Sequence, residues 1–192
     1  MVKQKLAVLI AVLALFSVVP ARAQSAAAQV LIDAQTRAAG EHKNIFLIFG
    51  ASWCGPCHQL DSFMQAPELK TIFEKYFVIA KVHIAEEASK HPERNTPGSD
   101  ALLQKLTGND PKNTGVPFIV FLDGAGKPIV NSDGPVPGAA PENIGYPVLP
   151  EEITWFMEML KRGAPSMSAA EMDKIYASLK KAAEKQTNGS HE

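Results

Sequence analysis

Ile45-Phe46-Leu47-Ile48-Phe49-Gly50-Ala51-Ser52-Trp53-Cys54-Gly55-Pro56-Cys57-His58 is an apolar run that ends in two cysteines three residues apart, and Leu60, Phe63 and Met64 follow it at helical spacing. The run is continuous rather than alternating, which suits a central strand buried on both faces. The spacing after it belongs to an amphipathic helix, so Cys54 is expected where a strand hands over to a helix. Free backbone N–H groups and the macrodipole at a helix start favour negative charge, and with it a thiolate on Cys54. Cys57 lies one turn further on the same face, within reach of Cys54 for a disulfide and placed to resolve a mixed disulfide with a partner.

Cys54 and Cys57 are the only two cysteines of the chain. A structural bridge is the plain alternative, common in exported chains with an even number of cysteines. A bridge closing a loop of so few residues contributes only about 2 kcal/mol, less than one tying distant segments together. Half of a zinc site is a second alternative. Structural zinc takes four ligands, and His42, His58, His83, His91 and His191 show no paired spacing. Redox exchange is therefore the reading of the pair, with no metal and no cofactor expected.

Residues 1–23 read as a secretory signal. Lys3 and Lys5 give the positive start, Leu6 to Val19 form a 14-residue apolar run, and Ala21-Arg22-Ala23 is a small-x-small cleavage site. An uncleaved anchor is the alternative, but the run is shorter than the roughly 20 residues of a spanning helix. Loss of Lys3, Lys5 and Arg22 leaves 16 basic against 20 acidic residues, a formal charge of −4 in place of −1. Nothing in that balance points to nucleic acid. The remaining 169 of 192 residues fit one domain, assigned to 24–186 with a core at about 28–162 and a helical extension at 166–186, and a disordered tail at 187–192. The Asn188-Gly189-Ser190 sequon reads as chance. Export implies an oxidising compartment, the periplasm, where a reducing role needs a partner that supplies electrons.

Along the chain, Ser25 to Ala39 reads as an amphipathic helix stopped at Gly40. Pro67 with Glu68 opens a further helix after a break near Ala66. Phe77 to Ile84 reads as the next strand, parallel to the first across the intervening crossover. Glu86 to Ser99 reads as an irregular surface insertion, and Asp100 to Leu106 as a short helix capped by Ser99. Pro117 to Leu122, a turn at 123–126 and Lys127 to Val130 form a hairpin. Asn131 to Pro150 is a long loop without periodicity. Helices follow at Glu151 to Lys161, with Ile153, Phe156, Met157 and Leu160 on one face, and at Ser168 to Lys185, with Met172, Ile175, Tyr176 and Leu179.

With Trp53-Cys54-Gly55-Pro56-Cys57 between strand and helix, and Gly115-Val116-Pro117 ahead of a later strand, the chain resembles the thioredoxin superfamily over roughly residues 28–162. Within it the chain is similar to the exported thioredoxin-like domains, a group that includes the carboxy-terminal domain of the electron transporter DsbD. The resemblance implies an α/β fold of three layers, a central mixed sheet of about four strands flanked by helices, here with an extra C-terminal helix. It also implies that Pro117 is cis and lies against the cysteine pair, that the Val116 backbone pairs with a bound substrate segment, and that Gly55-Pro56 marks a reductant. Trp53 either borders and shields the site or is one more partly buried aromatic; His58 adds charge beside the thiolate or is an exposed helix residue. One departure stands out. The family's buried aspartate six residues ahead of the first cysteine is Ile48 here, and Lys81, in the next strand, either acts alone or reaches solvent along its stem.

These readings converge on a periplasmic thiol-disulfide oxidoreductase, a reductant in which Cys54 and Cys57 are catalytic, Trp53, Gly55 and Pro56 support them, and Val116 and Pro117 bind substrate. Its expected partners are protein disulfides and a membrane-borne electron donor, and it is expected to be a monomer. An oxidase or isomerase would use the same residues at another redox poise. A non-catalytic binding module with the 131–150 loop as contact surface is the alternative of another class, and a metal chaperone using Cys54, Cys57 and His58 is the third.

Overall fold

The computed structural model describes residues 25–135 and 139–189 of the chain; the expected signal segment 1–23 and the residues after 189 lie outside them. Helix α1 (Ala26–Glu41) leads into strand β1 (Asn44–Gly50), and α2 (Gly55–Gln65) and α3 (Pro67–Tyr76) connect it to β2 (Phe77–His83). Helix α4 (Ser99–Thr107) precedes the hairpin of β3 (Phe118–Leu122) and β4 (Pro128–Asn131), and α5 (Pro150–Gly163) and α6 (Ala169–Gly189) close the chain.

The four strands form one mixed sheet in the order β2-β1-β3-β4. β1 runs parallel to β2, with Ile48 beside Lys81, and antiparallel to β3, with Ile48 beside Ile119. The side-chain period of two then sorts the core into two layers. Phe46, Ile48, Ile119 and Phe121 face α2, α3, α5 and α6 through Leu60, Phe73, Phe156 and Ile175. Ile45, Leu47, Phe49, Phe118 and Val120 face α1 and α4 through Leu31, Ala34 and Leu103. Helices thus cover both faces of the sheet, which is why β1 reads as an unbroken apolar run. Phe46 meets Phe121 edge to face at 4.6 Å between ring centres, in the range aromatic pairs prefer. Gly163 ends α5 against that same Phe121 ring, where a Cβ would collide with it.

Several local expectations are corrected. Helix α1 continues through Gly40 to Glu41, and His42 takes the left-handed stop (φ 53°), its amide returning to the Ala38 carbonyl. α4 starts after Gly98, whose φ of 85° places it at the cap, while Ser99 is buried and caps nothing. The segment 86–99 is not a plain surface insertion: it holds 3-10 turns at Glu86–Ser89 and Pro92–Arg94, and Glu86 is wholly buried. The 131–150 loop contains a two-stranded ribbon, β5 (Asp133–Gly134) with β6 (Glu142–Asn143). On α5 the buried face is Ile153, Phe156, Met159 and Leu160, with Met157 only partly covered, and on α6 Tyr176 stands 45% exposed. α6 reaches Gly189, past the end expected at 186 and into the segment read as a disordered tail. Among the described residues no helix is long and apolar enough to cross a membrane.

Candidate active site around Cys54 and Cys57

β1 ends at Gly50 and α2 begins at Gly55, so Ala51 to Cys54 form the whole strand-to-helix turn. Cys54 is the N-cap of α2, and its Sγ accepts the Cys57 amide at 3.1 Å. A sulfur in that place satisfies one of the free donors at the helix start and receives the field of the helix dipole. Pro56 occupies the first turn, where its missing N–H costs nothing. Gly55 and Pro56 are both exposed. Cys54 and Cys57 are joined as a disulfide, with Cα atoms 5.2 Å apart.

The Val116–Pro117 bond is cis. The Val116 carbonyl oxygen lies 3.4 Å from Cys54 Sγ, and Val116 packs on Ala51, Cys54 and Cys57. The two cysteines are 1% and 9% exposed, so Val116 and its neighbours cover the sulfurs. Asn143 holds this loop from behind: its Nδ2 donates to the carbonyls of Gly115 (2.9 Å) and Pro117 (3.0 Å) on either side of Val116. Its Oδ1 in turn accepts the Ser132 hydroxyl at 2.6 Å, and that hydroxyl receives the Ile119 amide. Behind Cys57 the chain has no room to spare, since a Cβ on Gly50 would stand 3.3 Å from the Cys57 sulfur.

Trp53 stands next to the pair at the end of the turn. It is 47% exposed, and its indole N–H donates to the Ala85 carbonyl at 2.8 Å. His58 is an exposed helix residue whose Nε2 lies 3.0 Å from the Ser52 carbonyl. Lys81 neither acts alone nor simply reaches solvent: its ammonium pairs with Asp61 of α2 at 2.6 Å.

Glu86, like Asn143, carries no signal in the sequence for its place at the site. Its carboxylate accepts the Ser52 amide and the Ser52 hydroxyl, both at 2.7 Å, and further contacts from His83 (3.2 Å) and the Ser89 hydroxyl (3.2 Å). Burial pushes the carboxyl up, but the hydrogen bonds from the Ser52 hydroxyl, the Ser52 amide, His83 and Ser89 outweigh it and bring it down to about 2. A buried, ionised carboxylate therefore clamps the turn two residues ahead of Cys54. Among the described residues no three His, Cys, Asp or Glu side chains gather as metal ligands.

A model of the thioredoxin-like domain family matches residues 31–144. Among solved structures, the chain is similar to a disulphide isomerase from Xylella fastidiosa Temecula1, at 20% identity and a TM-score of 0.46 over 84% of this chain and 96% of that one. It is similar to DsbH oxidoreductase at 21% identity and a TM-score of 0.42, over 71% of this chain and 82% of that one. A thioredoxin-family thiol:disulfide interchange protein from Chlorobium tepidum TLS has 23% identity and a TM-score of 0.35, covering 52% of this chain and 75% of that one. No curated protein matches the chain.

Proposed function

Since the chain belongs to the thioredoxin-like domain family, matched over residues 31–144, we propose that it is a thiol-disulfide oxidoreductase of the periplasm that reduces protein disulfides. The observation that carries this reading is the seat of Cys54: capping α2, accepting the Cys57 amide and facing the Val116 carbonyl. In the reduced protein the Cys54 thiolate attacks one sulfur of a substrate disulfide, forming a mixed disulfide and releasing the other sulfur as a thiol. Cys57 then attacks Cys54, closing the Cys54–Cys57 bond and releasing the second substrate thiol. Two electrons pass from the pair to the substrate, and a membrane-borne donor returns them. A substrate segment lying against the Val116 backbone would hold its disulfide in line for Cys54.

The charge of Glu86 supports the reducing direction. The α2 terminus favours the Cys54 thiolate, while the anionic Glu86 beneath Ser52 opposes it, and a less stabilised thiolate makes a stronger reductant. Trapping tests the mechanism. A Cys57→Ala protein should collect substrate proteins on Cys54 as mixed disulfides that dithiothreitol releases; an empty trap contradicts the cycle.

A further inference from the structure

A groove of about 520 Å³ opens between α2 and α6, and His58, Ser62, Phe63, Tyr146, Lys181 and Lys185 are among the residues that line it. His58 follows Cys57 directly, so the groove begins at the edge of the cysteine site. Its floor is apolar: Phe63 and Tyr146 are nearly buried and stack edge to face at 5.9 Å. The Tyr146 hydroxyl has no hydrogen-bond partner among the described residues and is not sealed from solvent, which leaves it open to the groove it lines. Burial raises the pKa of this phenol, so it stays a donor.

The rim is cationic and uncompensated. Lys181 and Lys185 lie one turn apart on α6, both exposed, with no carboxylate partner among the described residues, and no Asp or Glu lines the groove. Lys43, Lys70, Lys75, Lys81 and Lys161 each face a carboxylate, whereas Lys181 and Lys185 are among the lysines that do not, and they are the two that line this groove. The cavity beside Gly115, on the Val116 side of the pair, has the opposite character: Asp110, Asp133 and Glu142 line it and no cation does. α6 is held firmly enough to present such a rim. Ile175 and Leu179 are buried, and Glu171 binds Lys75 at 2.8 Å and the Tyr76 hydroxyl at 2.7 Å. This helix lies outside the segment that matches the family, residues 31–144.

We propose that the α2–α6 groove docks an acidic segment of the protein that exchanges disulfides with Cys54 and Cys57, its carboxylates on Lys181 and Lys185 and an apolar side chain on Phe63 and Tyr146. The identity of that partner rests on the oxidoreductase reading; the acidic preference rests on the groove. Charges at such a rim set partner choice and encounter rate more than they add raw affinity.

Fluorescein-labelled, cysteine-free peptides alternating glutamate with leucine, or lysine with leucine, test it by fluorescence anisotropy on the oxidised protein. The glutamate peptide should bind at least about tenfold more tightly than the lysine peptide, with the gap narrowing as salt is added. Lys181→Glu with Lys185→Glu should abolish that preference, and Lys181→Gln with Lys185→Gln should reduce it. The same charge change at the exposed Lys105 and Lys112 should leave it intact. Equal binding of the two peptides, or a preference that survives charge reversal at Lys181 and Lys185, overturns the proposal. A protein that prefers the glutamate peptide yet fails to accelerate insulin reduction by dithiothreitol overturns the oxidoreductase reading, and the partner named with it, separately from the acidic preference.

Discussion

The carboxylate of Glu86, with no exposed surface, accepts the backbone amide of Ser52 at 2.7 Å. The two residues are 34 positions apart, and the bond fixes the turn that delivers Trp53 and Cys54 to the start of α2. Ala85, next to Glu86, receives the Trp53 indole, so this one corner after β2 holds the active-site turn through two consecutive residues.

The first consequence is a pH dependence. Glu86 has its carboxyl lowered from 4.5 to about 2 in the folded protein, so its contribution to stability is complete above about pH 4.5 and is lost as pH falls toward 2. Thermal midpoints measured across that window should fall in the wild type. The Glu86→Gln protein should lack that component and start from a lower midpoint at neutral pH, because an amide replaces an acceptor-only group among four donors.

Redox poise should move with the same residue. Removing the negative charge beneath Ser52 relieves the Cys54 thiolate and stabilises the reduced protein. Glu86→Gln should therefore raise the reduction potential, by about 30 mV for about 1.4 kcal/mol of electrostatic relief. Equilibration against dithiothreitol buffers gives the number, and an unchanged or lower potential would show that Glu86 serves the turn's shape alone.

At Gly50 the limit is space. A Cβ at 3.3 Å from Cys57 Sγ is tighter than ordinary packing, so Gly50→Ala should destabilise the oxidised protein and Gly50→Val should do so more, by about 1–3 kcal/mol. Denaturant unfolding of the oxidised proteins reads this directly.

Asn143 is expected to affect substrate handling rather than poise. Asn143→Ala frees the carbonyls of Gly115 and Pro117 and loosens the Val116 segment that faces Cys54. Insulin reduction should slow several-fold while the reduction potential stays near the wild-type value. A shifted potential with normal turnover would reverse the assignment.

Much of this was legible because it is local. The unbroken apolar run of β1 announces a strand covered on both faces, Pro67 marks the break between α2 and α3, and Gly124 with Gly126 marks the β3–β4 turn. The Cys54-Gly55-Pro56-Cys57 sequence shows both its chemistry and its place at a helix start. Glu86 and Asn143 were not legible. Both stand in polar, proline-bearing stretches, and each acts on partners far away in sequence, Ser52 in one case and Gly115 with Pro117 in the other. No periodicity records a contact of that kind. His42 hides for a different reason: a left-handed stop usually calls for glycine, and here Gly40 sat two residues too early to serve.

The reduction potential of the Cys54–Cys57 pair in the wild-type protein, equilibrated against a dithiothreitol or glutathione buffer, tests the central claim most directly. A reductant held poised by Glu86 and the α2 terminus should give a value near that of thioredoxin, about −270 mV. A value toward about −120 mV, where the reduced form is the stabilised one, would contradict it and make the protein an oxidant.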